Sequence, residues 1–178
     1  TVLDNARLFE QVRQLAVSDS LTGLANYRWL VQVLHAEIQR SQRSGRPFAI
    51  LLLDLDHLKL VNDRYGHLVG SRALCRLSRV MRTNCRAMDT AARYGGDEFV
   101  LVLPEAGAEA AERVGQRIRE RLSADGEEPM LSVSVGAAVF PQNGSNIEEL
   151  LSAADRALYG MKRGRREVRS LSHIAACL

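Results

Sequence analysis

RYGGDEFV, residues 93–100, sets two glycines between two β-prone runs, residues 91–94 and 99–103. A Gly-Gly pair between such runs predicts a two-residue hairpin turn, with the glycines supplying positive φ angles. Two carboxylates, Asp97 and Glu98, follow at once. They stand at a rigid tip where a backbone without Cβ atoms lets a ligand approach closely. About forty residues upstream, residues 48–55 form a near-continuous apolar run ending in Asp54-Leu55-Asp56. Such a run reads as a central strand covered on both faces. Side chains alternate along a strand, so Asp54 and Asp56 point to the same side.

A strand ending in Asp-x-Asp and a hairpin tip bearing Asp-Glu place carboxylates side by side. Carboxylates at that density repel unless a cation lies between them. Oxygen ligands favour Mg²⁺ or Mn²⁺ over zinc. The helix that starts after Asp56 offers free N–H groups to phosphate oxygens, and Lys59 adds a positive charge. These parts suggest a nucleoside triphosphate site and metal-assisted phosphoryl or nucleotidyl transfer.

Outward from this centre, Asn26 caps a helix that runs to about Ser44 and stops at Gly45-Arg46-Pro47. A short helix over 57–65, a helix over 71–86 and an Ala/Glu/Arg-rich helix over 107–122 follow. Residues 131–135 alternate as a strand, Asn146 caps a helix ending near Lys162, and a short strand surrounds Val168. Trp29 and Phe48 read as core. Strands interleaved with helices and one hairpin predict an α/β (α+β) domain, a mixed central sheet with helices packed on it. Residues 1–18 read as a helix with Leu8, Val12 and Leu15 on one seam. It packs on its own domain or pairs with its twin as a connector. The expected division is 1–18 linker helix, 19–170 catalytic domain and 171–178 tail.

The chain has 178 residues, enough for one domain with its own core, and a formal net charge of +3. That charge is too small to suggest nucleic-acid binding, and the basic segment 162–169 has no aromatic interleaving. Cys75, Cys85 and Cys177 are too scattered for a zinc site. They fit a reducing, cytoplasmic compartment, with Cys75 buried on a helix. No run of about eighteen apolar residues spans a membrane. The chain lacks an initiator Met, as a piece of a longer protein would.

The motifs extend beyond the hairpin. Asp19-Ser20-Leu21-Thr22-Gly23-Leu24-Ala25-Asn26, Asp54-Leu55-Asp56-His57-Leu58-Lys59-Leu60-Val61-Asn62-Asp63 with Gly66-His67 and Gly70, Ser132-Val133-Ser134-Val135-Gly136, and Ala154-Asp155-Arg156-Ala157-Leu158-Tyr159 together resemble the GGDEF domain, the family of diguanylate cyclases. The resemblance covers roughly residues 19–168. It implies a palm-like fold similar to class III adenylyl cyclases and polymerase palms. It also implies a homodimer in which each subunit holds one nucleotide, each 3′-OH attacks the other's α-phosphate, and pyrophosphate leaves. Carried over by motif, Asp54 and Asp97 hold Mg²⁺ with the Leu55 carbonyl, and Asp97 stands where the 3′-OH is activated. Glu98 assists a second metal or shapes the tip. Backbone groups of His57 and Leu58, with Lys59 and Lys162, meet phosphates, and Asn62 meets the guanine edge.

The chain departs from the family pattern after Gly70, where Asp is usual and Ser71 stands here. A carboxylate accepts from both N1–H and N2–H of guanine. Adenine offers an acceptor at N1 and no 2-amino group, so an Asp facing it is left partly unpaired, at about 1–3 kcal/mol. A Ser hydroxyl donates or accepts by rotating. The hybrid promiscuous (Hypr) branch of the family also has Ser there and makes 3′,3′-cyclic GMP-AMP as well as cyclic di-GMP. The resemblance thus implies GTP and ATP as substrates; a neutral replacement in a GTP-only enzyme and a domain that only binds nucleotide are the alternatives. Near the end, the phosphate-binding arginine of the pattern falls on Arg165 or Arg166. Arg86 and Asp89 resemble the family's inhibitory RxxD site for cyclic dinucleotide product, or form a local ion pair. Residues 5–12 resemble the helix between a GAF sensor and a GGDEF domain, implying an upstream sensory partner.

Overall fold

The computed structural model describes the backbone of residues 17–175 and the side chains of residues 17–163. The expected linker helix, residues 1–16 of it, lies outside the described residues. Helix α1 spans Tyr27–Ser44. Its cap is the expected one: Trp29 N–H donates to Asn26 Oδ1 at 3.0 Å, and Gly45 ends the helix at φ 71°. That left-handed residue is where a Cβ would be strained. Strand β1 (Phe48–Leu55), helices α2 (Leu58–Tyr65) and α3 (His67–Asn84), strands β2 (Thr90–Arg93) and β3 (Glu98–Leu103), helix α4 (Ala108–Ser123), strand β4 (Val133–Phe140) and helix α5 (Ile147–Ala175) complete the order.

The sheet order is β2-β3-β1-β4, and all of its ladders are antiparallel. The parallel contribution to the expected mixed sheet is a single bridge, Ala25 to Ala92, at the edge. Alternation along β1 sorts the core into two layers. Ala49, Leu51, Leu53 and Leu55 join α3 and α4 side chains such as Leu77, Met81 and Ile118. Phe48, Ile50 and Leu52 join Leu30 and Leu34 of α1 and Leu150, Ala154 and Leu158 of α5. Asp54 has the parity of the second layer, so the α5 face of the sheet receives it.

Several expectations change. The helix expected to end near Lys162 runs on to Ala175, and no strand forms around Val168. Arg and Glu in that stretch are good helix formers, and no proline interrupts them. The hairpin is wider than two residues: β2 ends at Arg93, β3 begins at Glu98, and neither Gly95 nor Gly96 is left-handed. Trp29 is 38% exposed, while Phe48 is buried as expected. Cys75 and Cys85 are both half-buried.

Close backbone contact fixes α5 on the sheet. A Cβ on Gly136 of β4 would lie 2.1 Å from the Ala154 carbonyl oxygen and 2.4 Å from Leu158 N. Helix and strand therefore touch backbone to backbone, and the turn of α5 bearing Lys162 is held at a set distance from the end of β1.

Candidate active site

The end of β1 and the hairpin tip meet as the sequence predicts. Leu55 N–H donates to the Asp97 carbonyl at 3.0 Å. Asp54 stands directly opposite Glu98 on β3 and Ser134 on β4. Like charges directly opposite on neighbouring strands are unfavourable. Lys162 answers them from α5, its Nζ 2.8 Å from Asp54 Oδ2. Burial pushes the Asp54 carboxyl above the usual carboxylate range, with Asp97 and Asp56 adding to the rise and Lys162 opposing it. Glu98 is raised as well, by burial first and then by Asp54, Asp97 and Asp155.

The donor set is all oxygen, which suits a hard divalent ion. Among the described residues no three His, Cys, Asp or Glu side chains are grouped to hold an ion by themselves. The negative charge gathered at Asp54, Glu98 and Asp97, with burial raising the first two carboxyls, is the feature that a cation would relieve.

Asp56 stays near Asp54 but is engaged by β4. Its carboxylate accepts from Ser132 Oγ at 2.7 Å and Ser134 Oγ at 2.6 Å, and its N–H donates to the Ser132 carbonyl at 2.9 Å. It ties the end of β1 to β4. His57 follows at φ 60°, a left-handed conformation rare outside glycine, and opens α2. The chain turns abruptly there, and Leu58 and Lys59 at the start of α2 line the same cavity as Asp97.

A cavity of about 530 Å³ adjoins the tip and is lined by Lys59, Asn62, Ser71, Arg93 and Asp97 among others. The structure thus brings Leu58 and Lys59, expected at phosphates, and Asn62 and Ser71, expected at the base, to one opening with a tip acid, while His57 and Lys162 do not line it. A separate cavity of about 290 Å³ is lined by Arg82, Arg86 and Asp89. Asp89 Oδ2 there accepts the Arg86 N–H at 2.7 Å, a local turn contact rather than an ion pair between the side chains. The side chains of Arg165 and Arg166 lie outside those described.

Sequence reasoning missed the clasp that shapes the hairpin. Arg93 donates through Nε to the Gly95 carbonyl at 3.1 Å and through Nη2 to the Gly96 carbonyl at 2.7 Å. The same guanidinium is 3.2 Å from Asp19 Oδ2. Burial acts to raise Asp19, but the Thr22 hydroxyl and N–H, with Arg93, outweigh it and hold the carboxyl below its ordinary range. The tip is wide because it wraps around this guanidinium. The available signal was an Asp and an Arg each opening a motif; their pairing over so many residues was not legible.

Comparison with known proteins agrees with this geometry. The model of the GGDEF family, described as "Diguanylate cyclase, GGDEF domain", matches residues 16–168. The chain is 41% identical over 170 residues to diguanylate cyclase DosC of Escherichia coli K12, covering 90% of this chain and 36% of DosC. It is 36% identical over 156 residues to the response regulator PleD of Caulobacter vibrioides, covering 84% of this chain and 34% of PleD. The chain therefore spans about a third of the length of these curated relatives. Among solved structures, the coiled coil and GGDEF domain of DgcB from Caulobacter crescentus in complex with c-di-GMP superposes with a TM-score of 0.82 at 30% identity, covering 92% of this chain and 89% of that one. Diguanylate cyclase SiaD of Pseudomonas aeruginosa, solved with its activator SiaC, gives a TM-score of 0.79 at 33% identity, covering 91% of this chain and 64% of that one. With the match extending from before Asp19 to Val168 and the site residues drawn to one end of the sheet, the chain belongs to the GGDEF family of diguanylate cyclase domains.

Proposed function

We propose that this domain is a dinucleotide cyclase that condenses two purine nucleoside triphosphates into a cyclic dinucleotide and releases pyrophosphate, accepting ATP as well as GTP. The observation that carries the reading is the cavity joining Asn62 and Ser71 to Lys59 and Asp97. A base lies toward Asn62 and Ser71, and its triphosphate lies toward Lys59, the start of α2 and Lys162. Asp54, the Leu55 carbonyl and Asp97, with Glu98 adjoining, are the groups that would hold Mg²⁺ or Mn²⁺. The ion supplies charge neutralisation on the phosphates and acidifies a nearby hydroxyl.

Asp97 accepts the proton of a 3′-OH. The freed oxygen forms a bond to the α-phosphorus of the facing nucleotide, and the bond from that phosphorus to the pyrophosphate oxygen breaks. A domain that holds one nucleotide supplies one 3′-OH and one α-phosphate, so the two bonds of a cyclic product form between two domains face to face, a homodimer. The substrates place the reaction in the cytoplasm. The DgcB structure includes a coiled coil, and SiaD was solved in complex with its activator SiaC. By analogy, residues 1–18 connect to an upstream sensory domain, of GAF type by resemblance, that sets the pairing of the two cavities.

The rival reading is a silent receptor for cyclic dinucleotide at Arg86 and Asp89. The charged cluster of Asp54, Glu98 and Lys162 supports the enzyme, because a receptor has no need of it. Incubation with Mg²⁺ and GTP, ATP or an equimolar mixture, followed by mass identification of products, tests the proposal. Cyclic GMP-AMP together with cyclic di-GMP is expected from the mixture. Ser71→Asp should lower use of ATP roughly tenfold and shift product to cyclic di-GMP. An unchanged ratio means that Ser71 does not select the base, and no cyclic product from any mixture, even with a dimerising tag, returns the receptor reading.

A further inference from the structure

Gly70 stands immediately before Ser71, in the first turn of α3, and is buried. The space that its side chain would fill is taken. A Cβ there would lie 1.9 Å from Asn62 Oδ1 and 2.9 Å from Asn62 Cγ. Its φ is not in the left-handed region. Backbone conformation therefore does not demand glycine at this position; the Asn62 amide does. The backbone reinforces the placement. Gly66 N–H donates to the Asn62 carbonyl at 2.8 Å, and Gly70 N–H donates to the Gly66 carbonyl at 3.2 Å. These two bonds set the last turn of α2 against the first turn of α3.

We propose that Gly70 is a positioning residue of the base pocket: by lacking a Cβ it lets the Asn62 amide lie across the first turn of α3, beside Ser71. This rests on the reading that the cavity takes a purine nucleoside triphosphate. With a Cβ at position 70 the amide must rotate away, and the pocket keeps Ser71 as its polar contact while losing the Asn62 edge. The obstructing atoms belong to the end of a side chain. Gly70→Ala is thus relieved by rotation of Asn62 and leaves the fold standing, unlike a substitution at Gly136, where the obstruction is backbone.

Binding of a non-hydrolysable GTP analogue with Mg²⁺ is measured on the full chain, as wild type, Gly70→Ala, Asn62→Ala and the double variant. Gly70→Ala should weaken binding about tenfold, as the loss of one well-placed hydrogen bond does. The double variant should bind no more weakly than Asn62→Ala alone, because both changes remove the same contact. A general structural role for Gly70 would instead add its loss on top of Asn62→Ala. Wild-type-like binding by Gly70→Ala, or full additivity in the double variant, overturns the proposal and leaves the nucleotide reading intact. A wild type that binds neither GTP nor ATP analogue overturns that reading and this inference with it. Should Gly70→Ala fail to fold, the double variant decides: a folded double variant supports the amide as the obstruction, and an unfolded one overturns it.

Discussion

At the scale of single residues, Lys162 carries the most distinctive chemistry. Its ammonium lies 2.8 Å from Asp54 Oδ2, where it neutralises a half-buried carboxylate that Asp97 and Asp56 push the other way. A divalent ion approaching Asp54 meets this resident cation first. Triphosphate oxygens would draw the lysine off while bringing the metal in, so the two ligands assist each other. Lys162→Met should therefore raise nucleotide-free Mn²⁺ affinity roughly fivefold, about 1 kcal/mol of relieved repulsion. Its affinity for a Mg²⁺–GTP analogue should fall about tenfold, because a charge-assisted contact to phosphate is lost. Calorimetric titration of both ligands checks the opposite signs; a loss of metal affinity in the nucleotide-free variant would contradict the competition. Residues at this scale were largely legible. Asp54, Asp97, Lys59 and Asn62 reach one end of the sheet as their motif order implies. Glu98 gains weight from its position directly across from Asp54.

At the scale of elements, the contact between β4 and α5 decides where that lysine stands. Gly136 permits it, since its Cα is the only part of the residue that fits beneath Ala154 and Leu158. A methyl there meets backbone on a helix, which cannot turn aside. Gly136→Ala should destabilise the domain by roughly 2–3 kcal/mol. Denaturant unfolding should show it as a lower midpoint with an unchanged slope. The same variant should lose nucleotide affinity through displaced Lys162; full retention of both properties would mean that α5 has slack. The long α5 also shows where pattern reading stops. The helix is expected to end near Lys162, yet the segment beyond holds no proline, and its Arg and Glu residues carry the helix on past Gly164. In the hairpin, the Gly-Gly pair suggested a tight turn, but the Arg93 guanidinium occupies its interior and opens it.

At the scale of the whole molecule, opposed carboxylate shifts shape stability against pH. Asp19 and Asp125 are held below the ordinary carboxylate value of 3.8, although burial alone would raise both. For Asp125, hydrogen bonds from buried Arg76 and the Glu127 N–H outweigh that burial. Groups lowered in the fold contribute stability that is complete above their unfolded value and is lost as pH falls through the folded one. Asp54 and Glu98 are raised, so the folded state binds more protons there. Their ionisation costs stability, and acidification relieves that cost before the lowered pair titrates. With metal and nucleotide removed, the thermal midpoint should rise slightly from neutral pH to the upper edge of the carboxylate range, then fall below about pH 4. Asp54→Asn should reduce the rise, and Asp54→Asn with Glu98→Gln should abolish it; a rise that persists in the double variant assigns it to other groups. Regulation belongs to this scale as well. If the cavity holding Arg86 and Asp89 takes product, Arg86→Ala should weaken inhibition by cyclic dinucleotide about tenfold, read from initial rates at increasing product. Unchanged inhibition would place control elsewhere.

The sequence by itself determined the family, the central apolar strand, most helices and the candidates for the site. Those follow from local pattern: period-two and helical spacing, caps, and short motifs whose order along the chain is conspicuous. The tertiary structure alone decided the Asp19–Arg93 clasp, the cross-strand pairing of Asp54 with Glu98, the Lys162 ion pair and the close contacts at Gly70 and Gly136. Each depends on which remote atoms share a few ångströms of space. Register and packing set that distance, and no local spacing encodes it.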